Sequence, residues 1–296
     1  MLGVRGKKIV LGIHILLIAI WVGSLLVTLL LLSTKHTYFQ PDTYAPVDRI
    51  IFIIFDTVVM NISIAVALSG LVFSMFTTWG FFKFRWILFK WMGVILLAFL
   101  LMFLAGPAVN GMAATSDIFE AGATAQPDYI SYERQTIFYT LLQLFALSII
   151  VFISVIKPWG TRQPKFRINR KIVLISGIIV AVLLLVSSIM QFVQLNHYRN
   201  LRIEGIDLSR IPDGIYTGNA DYGFSYSVQV EIVNHHLQRI DIVNNRDSFY
   251  ARLAEGITQK MLREQRIDIN AVTGATTTSK VLMKAVETAV KNREIH

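Results

Sequence analysis

Five apolar stretches, each long enough to cross a bilayer, constrain this chain more than anything else in it. They run Ile9–Ser33, Arg49–Phe76, Trp86–Val109, Thr136–Ile156 and Ile172–Gln194. About 20 predominantly apolar residues span the hydrocarbon core as a helix. Only 16% of the 296 residues are charged, against about 25% in an ordinary soluble domain. The first run is too long for a signal-peptide core, and no small-residue cleavage site follows it, so it reads as a retained helix. From about Arg199 the composition turns soluble. The expected fold is therefore a membrane α-helical bundle of five transmembrane helices over residues 1–198, followed by a small α+β domain over residues 199–296.

The net charge of +9 is mostly a matter of position. Arg5, Lys7 and Lys8 precede the first span; Lys83 and Arg85 lie between the second and third. Lys157, Arg162, Lys165, Arg167, Arg170 and Lys171 lie between the fourth and fifth. The alternate connections, about 34–48 and 110–135, are poor in Lys and Arg. The positive-inside rule then predicts a multi-pass protein of the cytoplasmic membrane, with a cytoplasmic N-terminus and an extracytoplasmic C-terminal domain. Basic charge confined to short juxtamembrane loops argues against nucleic acid as a partner. The absence of cysteine excludes disulfides, cysteine-ligated clusters and zinc–thiolate sites.

Polar residues inside spans are functional candidates by default. His14 and Lys90 lie about a turn inside the cytoplasmic end of their helices; Asp56, Asn61, Gln143, Gln191 and Gln194 lie toward the outer half. Lys90 reads as snorkelling to headgroups, and Asp56 as interhelical glue with Gln143 or Asn61. His14 is the only deep histidine, which makes a bis-histidine haem an unfavoured reading. A "GAT" in the outer connection, after Asp117 and Glu120, has no apolar helix behind it and reads as chance.

In the soluble third, "IPDGIYTG" carries a turn signal and a strand start. "SVQVEIV" and "LQRIDIV" alternate apolar and polar residues around "NHH" and read as a hairpin. His235 and His236 read as turn residues, not metal ligands, and no metal site is expected. "DSFYARLAEGITQKMLREQ" reads as one helix, with Asp247 or Ser248 as its N-cap. "SKVLMKAVETAVKN" reads as a final amphipathic helix. Between them lies "NAVTGATTTSK", where extended chain becomes the first turn of that helix. Unpaired N–H groups and the positive end of the helix dipole converge there and favour a phosphate. Gly274 permits close approach, while Thr273, Thr276, Thr277, Thr278 and Ser279 offer hydroxyls. The competing reading is that Thr277 or Thr278 merely caps the helix.

"DGIYTG", the hairpin and "NAVTGATTTSKVLMKAVETAV" together resemble the FMN-binding domain of the C subunit of sodium-translocating NADH:quinone reductase and of the G subunit of the Rnf complex. The resemblance covers roughly Ile211–Asn292. It implies that a flavin transferase joins FMN through its phosphate to the hydroxyl after the alanine, here Thr276. Thr273, Gly274 and Ala275 complete the matching motif, and Tyr216 and Gly218 match the family's N-terminal signature. Tyr216, Tyr222 and Tyr226 are candidate ring neighbours. One position departs: the family's usual aspartate is Asn270 here, with Asp268 two residues earlier.

A threonine hydroxyl is a poor nucleophile without a base, and none stands in the motif, so an external transferase is the natural agent. The function so implied is a membrane-anchored flavoprotein carrying electrons at the outer membrane face. Its partners would be a quinone or other membrane redox donor and an extracytoplasmic acceptor; no catalytic residue is assigned. The alternative is a transporter or sensor whose bundle is controlled by a flavin redox domain, with Asp56 and His14 as solute or proton sites.

Overall fold

The computed structural model describes residues 3–77, 84–159, 190, 193 and 195–292. Four helical runs in it are long and apolar enough to cross a membrane: Val4–Tyr38, Pro41–Phe76, Arg85–Ala125 and Pro127–Ile156. Nearly all of the expected fifth span, Ile172–Gln194, lies outside the described residues, as do Gln191 and Gln194. Helix α1 is Val4–Tyr38, α2 Tyr44–Ile53, α3 Met60–Phe76, α4 Arg85–Leu100, α5 Gly106–Phe119 and α6 Pro127–Ile156. Single π-helical turns, Ile54–Val59 and Leu101–Ala105, join α2 to α3 and α4 to α5. Helix α1 packs on α3 and α6, and α4 packs on α6.

The third span does not end near Val109, and residues 110–135 are not a loop. The helix continues to Phe119, a 3₁₀ segment covers Glu120–Ala125, and α6 begins at Pro127. The run Arg85–Ala125 has 41 residues. At 1.5 Å per residue it reaches about 60 Å, twice the ~30 Å hydrocarbon core. Small residues such as Ala108, Ala113 and Ala114 let this stretch be buried as helix where low hydropathy suggested loop.

Among the described residues, two compact units emerge. One holds those of Met1–Met112 and Pro127–Val182; the other holds those of Ala113–Gln126 and Leu183–His296. The second unit thus includes the end of the third helical run.

In the first unit, buried positions on α1 recur as Trp21, Leu25, Thr28, Leu32 and Lys35. Those on α6 recur as Tyr129, Glu133, Thr136, Thr140, Gln143, Leu147 and Ile150. Both stripes follow the spacing of a bundle seam. Among the described residues the expected Asp56 side-chain pairing is not seen: Asn61 Nδ2 donates to the Thr57 carbonyl of the preceding π-helical turn at 2.7 Å and lies 3.4 Å from the Asp56 backbone carbonyl, Asp56 is exposed, and Gln143 is buried elsewhere on α6. The carbonyls of a π-helical turn are available to nearby amides, so Asn61 finds a local partner instead.

In the second unit, β1 (Gly214–Asp221), β2 (Ser225–Val233) and β3 (His236–Asn244) form an antiparallel sheet in sequence order. Tyr226, Val228, Val230 and Ile232 alternate inward, as the sequence pattern requires. Asn234 and His235 take positive φ of 52° and 60°, the geometry of a two-residue hairpin turn. Asp213 receives the backbone N–H groups of both, at 2.7 and 3.1 Å. Those two bonds hold its carboxyl below the usual carboxylate range.

The expected single helix after β3 is two: α7 (Phe249–Ala254) and α8 (Ile257–Glu264), broken at Glu255–Gly256. Ser248, not Asp247, caps α7, accepting from Ala251 N–H. Helix α9 (Thr276–Asn292) lies across the sheet. Its face of Val281, Leu282, Ala285, Val286, Ala289 and Val290 is fully buried. Ala114 and Ile118 of α5 belong to the same hydrophobic core.

Candidate functional site

The motif is suspended between two apolar anchors. Ile267, Ile269 and Val272 are buried before it, and Val281 and Leu282 after it. Between them Ala275 N–H donates to the Val272 carbonyl at 3.1 Å, closing a tight turn through Gly274. Gly274 has φ of +79°, a conformation that disfavours any residue with a Cβ. Helix α9 then starts at Thr276.

The structure divides the hydroxyls into two groups. Ser279 is fully buried; its Oγ donates to the Ala275 carbonyl at 3.0 Å and accepts from Val272 N–H at 3.3 Å. Thr273 is also buried, and its N–H and Oγ1 both donate to Asp117 Oδ2, at 2.9 and 3.1 Å. These two side chains hold the turn. Thr276 and Thr277 are half-buried and Thr278 is buried. Neither Thr277 nor Thr278 sits at the capping position, because the helix has already begun at Thr276. No acceptor among the described residues receives the backbone N–H of Thr276, Thr277 or Thr278. A 17-residue helix therefore presents three open donors and its positive dipole end beside the Thr276 hydroxyl.

Tyr216 and Gly218 have internal parts. Tyr216 is wholly buried and its hydroxyl donates to the Pro212 carbonyl at 2.7 Å. A Cβ on Gly218 would lie 2.1 Å from the Ala285 carbonyl oxygen and 2.4 Å from Ala289 N. Gly218 is thus the point where β1 and α9 touch backbone to backbone. Tyr226 is buried, whereas Tyr222 is half-buried and meets Tyr198 edge-on at 5.7 Å. Asn270 is exposed, and the Asp268 carboxylate is held by Arg266 at 2.9 and 3.2 Å. The acidic group in contact with the motif is Asp117, 156 residues before Thr273. Its only local signal was a carboxylate in an otherwise neutral stretch of small residues.

The membrane unit has two polar sites of its own. Lys35 Nζ is fully buried, 2.8 Å from Asp48, 2.6 Å from Glu133 and 2.9 Å from the Tyr129 hydroxyl. His36 Nε2 reaches Glu133 at 2.9 Å. Sequence reasoning passed over this cluster because Lys35 and Asp48 sit in a stretch read as loop. A second site is a cavity of about 370 Å³ walled by α1, α3, α4 and α6. His14, whose Nδ1 lies 2.6 Å from Ser69 Oγ, and Lys90 both line it.

Comparison with known families gives two matches. Residues 8–158, half of the chain, match the family described as "Predicted integral membrane protein (DUF2269)". The chain belongs to that family. Residues 222–291 match the FMN-binding domain, a range that holds the whole motif and excludes Tyr216 and Gly218. This DUF2269 protein is therefore a membrane protein with an FMN-binding domain, four long apolar helices leading into a small sheet-and-helix unit. No curated protein and no solved structure matches it.

The motif suits FMN on the geometry just described. A phosphate needs donors and a close backbone, and the three N–H groups and Gly274 supply them. A phosphoester needs an accessible hydroxyl, and the half-buried Thr276 hydroxyl has no competing partner among the described residues.

Proposed function

We propose that this protein is a membrane-anchored electron carrier, with FMN held as a phosphoester on Thr276 at the outer face of the cytoplasmic membrane. The observation that carries this reading is the half-buried Thr276 hydroxyl beside three open N–H groups, inside a matched FMN-binding domain. Thr273, Gly274 and Ala275 shape the turn, the N–H groups of Thr276–Thr278 would hold the phosphate, and Ser279 braces the chain from beneath. Attachment requires the Thr276 oxygen to lose its proton to a base on the transferase. That oxygen forms the new ester as the anhydride bond of a flavin dinucleotide breaks, and the nucleoside monophosphate leaves. Bound FMN supplies one- and two-electron chemistry, while the protein sets its orientation and potential.

Sidedness has support from within the flavin unit. Residues 113–126 share its core, which supports a flavin domain on the same side of the membrane as the end of the third span. With the basic N-terminal tail inside, three crossings put that end outside. Reduced quinol in the membrane is the donor class the reading favours, with an extracytoplasmic acceptor.

A second reading, transport or sensing under flavin control, draws on the cavity at His14 and Lys90. Two measurements separate them. An impermeant protease added to intact spheroplasts should remove the flavin domain. His14→Gln should leave solute uptake and signalling unchanged under the carrier reading, and abolish them under the second. Cleavage only after lysis would refute the outer-face assignment.

A further inference from the structure

We infer that Asp117, near the end of the Arg85–Ala125 helical run, is a positioning residue of the flavin-attachment site. The inference rests on Thr276 as the attachment residue. Asp117 is buried, with three polar contacts described: Thr273 N–H at 2.9 Å, Thr273 Oγ1 at 3.1 Å and Lys260 Nζ at 3.2 Å. Charge-assisted bonds of this kind are roughly twice as strong as neutral ones. Two of them fix the residue immediately before Gly274, and so fix the direction in which Thr276 leaves the turn.

The charge balance is equally specific. Lys260 is 4% exposed, and the ion pair it forms with Asp117 brings no net charge to the motif. Removing the carboxylate leaves a buried, unpaired ammonium; removing the ammonium leaves a buried carboxylate where an anionic phosphate must dock. The surrounding contacts explain how the segment is held. A Cβ on Gly256 would lie 2.2 Å from Ile118 Cδ1, so the α7–α8 break is seated directly against Ile118. Arg263 donates to the Ile118 carbonyl at 2.7 Å and to Glu120 at 3.0 Å. These contacts dock the segment but do not touch the motif, which separates docking from positioning.

The test uses full-length protein in membranes with its transferase, following the initial rate of covalent flavin incorporation beside thermal stability. Asp117→Asn and Lys260→Met should each slow incorporation about tenfold, in line with a lost charge-assisted contact. The double variant should load faster than either single, because the substituted amide oxygen still accepts from Thr273 and no unpaired charge remains. Arg263→Gln should lower stability while loading at the wild-type rate. If incorporation simply tracks stability across all four variants, or if Asp117→Asn loads normally, the positioning role is refuted. If wild-type protein carries no covalent flavin at all, the attachment reading fails and this one falls with it.

Discussion

The two units solve opposite solvent problems with the same residues. In the membrane unit large apolar side chains face outward: Ile95 and Leu96 are each 65% exposed and Phe99 is 55% exposed. Its interior instead collects Thr28, Lys35, Asp48, Glu133, Thr136, Thr140 and Gln143. In the flavin unit the apolar side chains form one buried core, and most ion pairs lie at the surface. Lipid offers no hydrogen bonds, so polar groups there must partner one another inside protein. Water offers them freely, so the soluble unit buries fewer polar groups, and several of those it does bury shape its motif. The place to look for function differs accordingly. Buried polarity is expected in the membrane unit, whereas in the flavin unit Thr273, Thr278, Ser279, Asp117 and Lys260 are all gathered at or beside one turn.

The sharpest test of that contrast is Lys35→Met. It leaves Asp48 and Glu133 as buried carboxylates without their cation. Breaking such a pair costs about 3–5 kcal/mol, so the variant should fail to accumulate in membranes or unfold far earlier in detergent. Adding Asp48→Asn and Glu133→Gln should recover most of the loss. If the single variant is as stable as wild type, the cluster does not hold α1, α2 and α6 together.

Gly218→Ala strikes the other unit alone. Its Cβ would overlap the α9 backbone, and forced overpacking costs about 1–3 kcal/mol, more when backbone must move. The C-terminal domain should become protease-sensitive and lose flavin while the membrane unit survives. Joint loss of both units would show that they do not fold separately.

Glu287 gives the smallest effect. Burial raises its pKa, but hydrogen bonds from Lys284 and Lys291 outweigh this and set it below the ordinary 4.5. Its contribution is therefore fully present above pH 4.5 and fades as pH falls below that value. Glu287→Gln should cost about 1–2 kcal/mol at neutral pH and flatten the acid limb of stability measured on the flavin domain.

Much of this was legible in the sequence for physical reasons. Four spans and the β2–β3 hairpin follow from periodicity, and the motif follows from its place at a helix start. What escaped was contact across distance. Asp117 meets Thr273 from 156 residues away, and nothing local marks that pairing. Residues 110–119 look like loop because small residues carry little hydropathy, though they pack well as helix. The division of the hydroxyls was equally hidden: Ser279 and Thr273 differ from Thr276 only in what they touch. The break at Gly256 follows from the need to seat Ile118, a requirement set by another part of the chain.

The most direct measurement is the intact mass of purified protein, wild type beside Thr276→Val. The account predicts that wild type carries the added mass of one FMN less one water, and that Thr276→Val carries none while remaining folded in the membrane. A Thr276→Val protein that keeps the added mass, or a wild type from its native host that lacks it, would contradict the attachment on which the account depends.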